Sequence, residues 1–262
     1  MSPMALMSRP RKLALASLAI CLGLLAFGGF WQPHDPAAVD LAIRDAPMSL
    51  AHPLGTDDLG RDMLSRLMAG GWRTATVLVI VAAIGFVGGT LVGTVAALAG
   101  GWVEIVILRL AELPIVLPTL VVAMTGAALF GLTPATAGIA LGLAALGPYT
   151  LMAHSLASRT LGLPYMQATQ ALGLPAPRRL LHHILPNILP VLLTQLGSTA
   201  GQSIVAYAAL AFIGLGADTS ASDWGAMLFE YRMFIFEHPA LMIWPGLAIS
   251  VPVTLINLVL DE

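Results

Sequence analysis

Six long apolar stretches dominate this chain, and no fold that buries a single core in water can absorb them. They run over about 13–30, 74–98, 105–130, 135–154, 187–213 and 239–260. Each is near the roughly 20 helical residues needed to cross a hydrocarbon core. The stretches are uniformly apolar rather than alternating, so they read as helices and not as barrel strands. With 58% hydrophobic and only 10% charged residues, the chain lies outside the composition of soluble globular domains. The expected fold is all-α, a polytopic membrane protein with six transmembrane helices in the lipid bilayer. Its expected parts are an N-terminus at 1–12, a first transmembrane helix at 13–30, an external segment at 31–73, and a five-helix core at 74–262 that carries a polar loop at 155–186.

Arg9, Arg11 and Lys12 precede the first span, a pattern that also fits a secretory signal peptide. No small-x-small cleavage site stands out before Trp31-Gln32-Pro33, so the span is expected to be retained. Cys21, the single cysteine, lies inside it, which excludes an internal disulfide and a cysteine-rich metal site.

Orientation follows from basic residues. With both termini on one face, that face holds Arg9, Arg11, Lys12, Arg109, Arg159, Arg178 and Arg179 against Glu104, Glu112, Asp261 and Glu262. The opposite face holds Arg44, Arg61, Arg66, Arg73 and Arg232, outnumbered by ten acids that include Asp57, Asp62, Asp218, Asp223 and Glu230. The excess of Lys and Arg on the first face places the termini inside, and with them the 155–186 loop.

Two polar islands carry further pattern. In the first, Tyr165, Ala168 and Leu172 recur at helical spacing, and Gly173, Pro175 and Pro177 then end the helix. Such a short helix either docks in a groove on another protein or rests on lipid. The adjacent His182 and His183 point about 100° apart on a helix and make a poor metal pair. In the second island, Thr56 is placed to cap a helix that opens with Asp57 and Asp58 and continues through an apolar stripe of Leu59, Met63, Leu67 and Met68. Asp57 with Arg61 and Asp62 with Arg66 stand four apart, each pair contributing a few tenths of a kcal/mol if exposed.

The order of the first island resembles the Glu-Ala-Ala, three residues, Gly, nine residues, Ile-x-Leu-Pro signature of permease subunits in ATP-binding-cassette importers. Gln167, Ala168, Gly173, Leu185 and Pro186 fall on that spacing. Gln167 stands where the family has Glu, Thr169 where it has a second Ala, and His183 where it has Ile. The run His52-Pro53-Leu54-Gly55-Thr56-Asp57-Asp58-Leu59-Gly60-Arg61-Asp62 resembles the segment before the second helix in permeases of the dipeptide, oligopeptide and nickel branch. The likeness continues through Gly100-Gly101-Trp102, Phe212-Ile213-Gly214-Leu215-Gly216, Asp223 to Leu228 and Trp244-Pro245-Gly246-Leu247. The short basic and acidic tail usual in the family does not follow Glu262.

The resemblance implies the second permease of a pair, in a bacterial inner membrane. Its partners would be a homologous permease, two ATPase subunits and an external substrate-binding protein. It also implies that Tyr165, Gln167, Ala168, Thr169, Leu172, Gly173, Leu185 and Pro186 couple the chain to its ATPases, which use ATP and Mg. This chain would bind no cofactor and no nucleic acid.

Within the spans, Arg109 and Glu112 stand three apart on one helix and read as a gate element or a mutually neutralising pair. Pro114 and Pro118 follow and are expected to kink that span. Gly85, Gly89 and Gly93 form a ridge for close helix packing. Asp223 and Trp224, in an acidic segment, read as an external contact or as an interfacial loop.

No His-Glu-x-x-His, no Gly-x-Ser-x-Gly and no paired intramembrane carboxylates occur, so neither catalytic residues nor a metal site are expected. Without a Gly-x-x-x-x-Gly-Lys-Ser/Thr loop, the chain is not the ATPase itself. Paired internal repeats, which a secondary transporter shows, are not evident. The expectation is a non-catalytic permease for short peptides, with nickel or a metal chelate (an opine metallophore) as the alternative cargo. A channel or scaffold remains the reading in which no ATPase takes part.

Overall fold

The computed structural model describes Gly23, residues 27–214 and residues 221–260. Most of the expected 13–30 helix, Cys21, Asp218 and the residues after Leu260 lie outside the described residues. Among the described residues the chain is helical without strands. It begins with α1, Met63–Val81, which runs through a π-helical stretch, Ala82–Gly88, into α2, Gly89–Ala99. Then come α3, Gly101–Val116; α4, Thr119–Phe130; α5, Pro134–Leu161; and α6, Pro164–Ala171. A short α7, Ala176–Arg179, passes through a second π-helical stretch, Leu180–Ile184, into α8, Leu185–Ile213. α9, Trp224–Tyr231, and α10, Ala240–Leu260, complete the chain.

Four helical stretches among the described residues are long and apolar enough to cross a membrane: Met63–Ala99, Pro134–Leu161, Ala176–Ile213 and Ala240–Val259. Two of them start well before the expected spans. The second span absorbs the amphipathic helix ahead of it, and the fifth absorbs Arg178, Arg179, His182 and His183. Pro177 therefore opens the next helix, where its missing N–H costs nothing, instead of closing the preceding one.

The expected 105–130 span is not one helix. α3 and α4 meet at 81° across Leu117-Pro118. Pro118 lacks the N–H that would continue α3, and it holds Leu117 extended at ψ 131°. Its carbonyl then accepts from Val121 and Val122 to start α4. Pro114 is accommodated inside α3.

The chain packs as two compact units. In the unit of residues 79–123 and 138–199, the glycine ridge meets α5. A Cβ on Gly85 would lie 2.7 Å from the Cβ of Ala145, one on Gly89 2.6 Å from that of Tyr149, and one on Gly93 2.2 Å from the carbonyl oxygen of Thr150. α5 answers with its own glycines, since a Cβ on Gly138 or Gly142 would crowd Ile80 or Ile84. Two helices thus approach to backbone distance, the geometry that small residues permit inside membranes. A buried cluster of Tyr149, Ala153, Ala157, Met166, Ile184, Ile188 and Leu192 fills this unit.

The other unit, residues 1–78, 124–137 and 200–262, packs around Met63, Ile204, Trp224, Met227, Tyr231, Leu241 and Ile256. α9 lies directly on α8, because a Cβ on Gly225 would fall 2.0 Å from the carbonyl oxygen of Ala208. Outward faces remain apolar, with Trp102, Ile105, Leu110 and Leu113 of α3 all exposed, as suits contact with hydrocarbon.

Candidate functional site

The segment singled out by the sequence, 165–186, is built around α6. Pro164 opens it with φ already set for a helix, and the carbonyl of Leu163 accepts from Met166 and Gln167. The C-terminus closes at Gly173, whose φ of +75° only glycine adopts freely. Leu172 N–H donates to Ala168 and Leu174 N–H to Thr169, the second bond spanning six residues as in a Schellman turn. One side chain anchors the helix. Met166 is 1% exposed and enters the cluster of Tyr149, Ala153 and Ile184.

The residues expected to couple stand away from that anchor. Tyr165, Gln167, Ala168 and Gly173 are exposed, and Leu172 is 81% exposed. Gln167 reaches back to the carbonyl of Gly162 at 3.3 Å, and Thr169 turns its hydroxyl to the carbonyl of Met166 at 2.7 Å. Leu185 is half-buried and Pro186 exposed, directly after buried Ile184. Asn187 ties this start of α8 to Thr160 of α5 at 3.2 Å. An open apolar groove of about 330 Å³, lined by Val95, Leu98, Ala99, Ala176, Pro177 and Leu180, lies in the same unit. α6 is therefore a short amphipathic helix held by buried Met166, with the Tyr165 ring 6.4 Å from that of His183 and still half exposed, and with Leu172 standing out from the chain.

Arg109 and Glu112 join through Nη1 and Oε2 at 2.9 Å on an exposed face of α3. Glu104, one turn and a half earlier, pairs instead with His154 of α5 at 2.6 Å, a contact that the sequence did not suggest.

The second island folds differently from its expected helix. Residues 55–62 form a loop closed by a bridge between Thr56 and Asp62, and the helix starts only at Met63. Gly55 and Gly60, at φ +77° and +74°, make the turns. Thr56 caps no helix; its hydroxyl donates to the carbonyl of Ile43 and accepts from the N–H of Ala46. Asp57 is fully buried. It accepts from Arg61 at 2.6 Å and from the Tyr231 hydroxyl at 2.8 Å, while Arg61 and Arg66 both bind Glu230, at 2.5 and 2.8 Å. The pairing of Asp62 with Arg66 does not form. Asp62 accepts instead from Ser65 and faces His52 at 2.9 Å.

Burial governs the ionisation here. It pushes the Tyr231 hydroxyl well up, although the Arg66 charge opposes it and Asp57 and Glu230 add to it. It also raises Asp58, with help from Asp57 and Glu230. Asp62 is buried too, yet the hydrogen bonds from Ser65 and His52 outweigh that burial and hold its carboxyl below the usual value.

Asp223 and Trp224, expected to face a partner, are turned inward. Asp223 pairs with Arg73 at 2.8 Å and accepts from the Tyr207 hydroxyl, and Trp224 donates to the carbonyl of Leu67 at 2.9 Å against Gly70. The buried Asp223 carboxylate thus neutralises a half-buried arginine. The sequence offered only an acidic loop; the arginine lies 150 positions away.

Residues 89–261 match the family described as binding-protein-dependent transport system inner membrane component. The chain belongs to this family. The "Probable D,D-dipeptide transport system permease protein DdpC" of Escherichia coli strain K12 is 32% identical over 241 residues, 92% of this chain and 81% of that protein. The nickel transport system permease protein NikC of the same strain is 31% identical over 254 residues, 95% of this chain and 90% of its own. The dipeptide transport system permease protein DppC of Alkalihalophilus pseudofirmus is 30% identical over 256 residues, 97% and 84% of the two chains. The branch expected from residues 52–62 is the branch from which these relatives come. The protein is thus a permease of an ATP-binding-cassette importer and a multi-pass membrane protein.

Proposed function

We propose that this permease forms part of the translocation pathway of an importer for short peptides in the bacterial inner membrane. It spans the membrane six times with both termini in the cytoplasm. It pairs with a homologous permease, receives cargo from an external binding protein, and takes its energy from two ATPase subunits that use ATP and Mg. The chain itself is not catalytic and binds no cofactor.

The observation that carries this reading is α6, a helix anchored by buried Met166 whose Tyr165, Ala168 and Leu172 are exposed, with only the rim of Tyr165 near His183. Such a helix suits insertion into a groove of an ATPase. A nucleotide-driven movement there shifts the spans between two arrangements. Arg109, Glu112, Pro114 and Pro118 belong, on this reading, to the break between α3 and α4, where a broken helix lines or gates the pathway. Two dipeptide relatives favour peptides. The nickel permease, matching 95% of this chain, supports nickel or a metal chelate as the second cargo.

The test has two stages. Tagged protein purified from its host in mild detergent is expected to bring a second permease and an active ATPase; a lone, ATPase-free species refutes the reading. In proteoliposomes with the binding protein, Gly173→Val is expected to leave insertion intact but separate ATP hydrolysis from uptake, because a β-branched residue at this φ is strained by about 1–2 kcal/mol and redirects the chain after α6. Uptake at the normal rate overturns the coupling role. Competition between dipeptides and nickel chelates then identifies the cargo.

A further inference from the structure

Outside the coupling segment, the stretch before α1 brings together three groups that neither transport nor packing requires in one place. The loop that leads into α1 delivers Asp62, 3% exposed, and His52 lies over it with Nδ1 2.9 Å from Oδ1. His34 arrives from the strap at residues 33–36, with Nδ1 3.8 Å from the other carboxylate oxygen. The two imidazole rings lie side by side, centroids 4.6 Å apart and 30° from parallel. One donor atom from each residue falls within 4.8 Å of the others.

A hydrogen-bonded lock would need only His52. At 3.8 Å, His34 is too far from Asp62 for a hydrogen bond, yet its backbone is held in place, since its N–H donates to the Ser65 hydroxyl at 3.0 Å. That hydroxyl in turn donates to Asp62 at 2.6 Å. Ser65 thus orients both the carboxylate and the strap that presents the second histidine, the role that an outer partner plays around a metal.

We propose that His34, His52 and Asp62 bind one borderline divalent cation such as zinc, nickel or copper. Two imidazoles and one carboxylate are a donor set for these ions rather than for calcium or magnesium, which prefer oxygen. Metal–ligand bonds of about 2.0–2.2 Å place ligand atoms roughly 3 Å apart, so each donor moves by about an ångström or less. Three protein ligands leave the remaining positions to water or to an incoming ligand. His34 is 42% exposed on its side chain and His52 16%, which gives the ion a way in. The bound cation ties the strap at 33–36 to the start of α1. The site stands independently of the cargo, because all three donors belong to the segment that precedes the Met63–Ala99 span.

The intact protein, purified with a histidine-free tag and stripped with chelator, is titrated with cobalt and followed by its visible absorption, with zinc added in competition. One saturable site per chain is expected. His34→Ala, which leaves the bond between His52 and Asp62 in place, is expected to weaken it by at least the roughly 10- to 100-fold that loss of an outer partner causes. A double change of His182 and His183 to alanine is expected to leave it untouched. No saturable site, an unchanged affinity in His34→Ala, or loss of binding in the His182 and His183 double variant each overturns the proposal. Wild-type protein loaded with one copper supplies a reading that does not rely on folding of a variant. Magnetic coupling to two imidazole nitrogens supports the site, and any other number refutes it.

Discussion

Truncating Met166 separates the anchor of α6 from its exposed face. Met166 is 1% exposed and, among the described side chains of Pro164–Ala171, is the one in the buried cluster. Eight residues cannot sustain a helix in isolation, so its order depends on that contact. Met→Ala in a core costs about 2–5 kcal/mol. The lower end applies because a short surface helix can settle into part of the space left. At about 1.4 kcal/mol per factor of ten, 2 kcal/mol makes the undocked state of α6 about 30-fold more populated. Native-state hydrogen exchange reads this directly: amides of Leu172 and Leu174, which donate to Ala168 and Thr169, are expected to lose protection by about that factor in Met166→Ala. Leu172→Ala, at a residue 81% exposed, is expected to leave protection unchanged while weakening ATPase-coupled uptake. Equal protection in Met166→Ala and wild type, or a loss of protection in Leu172→Ala, refutes the assignment of anchor and docking face.

Three further outcomes are expected. Gly89→Val would place a Cβ 2.6 Å from that of Tyr149 and 2.8 Å from the carbonyl oxygen of Leu146; forcing the two helices apart should cost at least the 1–3 kcal/mol typical of overpacking, seen as a lower unfolding temperature in detergent, whereas the exposed Gly131 should accept substitution with only the strain of its φ of +79°. Asp57→Asn should destabilise by about 3–5 kcal/mol, since it leaves Arg61 and Arg66 buried with one carboxylate between them; Glu230→Gln, at a side chain 23% exposed, should cost less, and an equal or reversed order in thermal unfolding would sink the network argument. The depressed carboxyl of Asp62 stabilises the folded loop above its ordinary value of 3.8, and that contribution is lost as pH falls through the lower folded value. Limited proteolysis across residues 52–66 in acid should therefore show wild type loosening over that window, and Asp62→Asn, already without the contribution, should show no such acid step.

Much of this protein was legible in its sequence because the governing forces are local. Apolar runs must become helices in lipid, where the backbone has to satisfy its own hydrogen bonds. A glycine spacing of four makes one ridge on any helix, and α5 was its partner. Gly173 ends α6 because a left-handed residue is needed there, and the spacing from Gln167 to Pro186 needs no tertiary knowledge to be seen.

Tertiary contact decided the rest. The pairs four apart at Asp57/Arg61 and Asp62/Arg66 looked like exposed helix supports, yet Glu230, 169 positions beyond Arg61, draws both arginines inward, and residues 55–62 turn as a loop to let it. Asp223 looked free until Arg73 came to meet it. The break at Leu117-Pro118 was legible as a kink, but its 81° was not, since proline removes a hydrogen bond without dictating where the chain goes next. Helical periods and turns are written in neighbouring residues. The partner of a buried charge is set by which segments of the chain pack together, and no spacing encodes that.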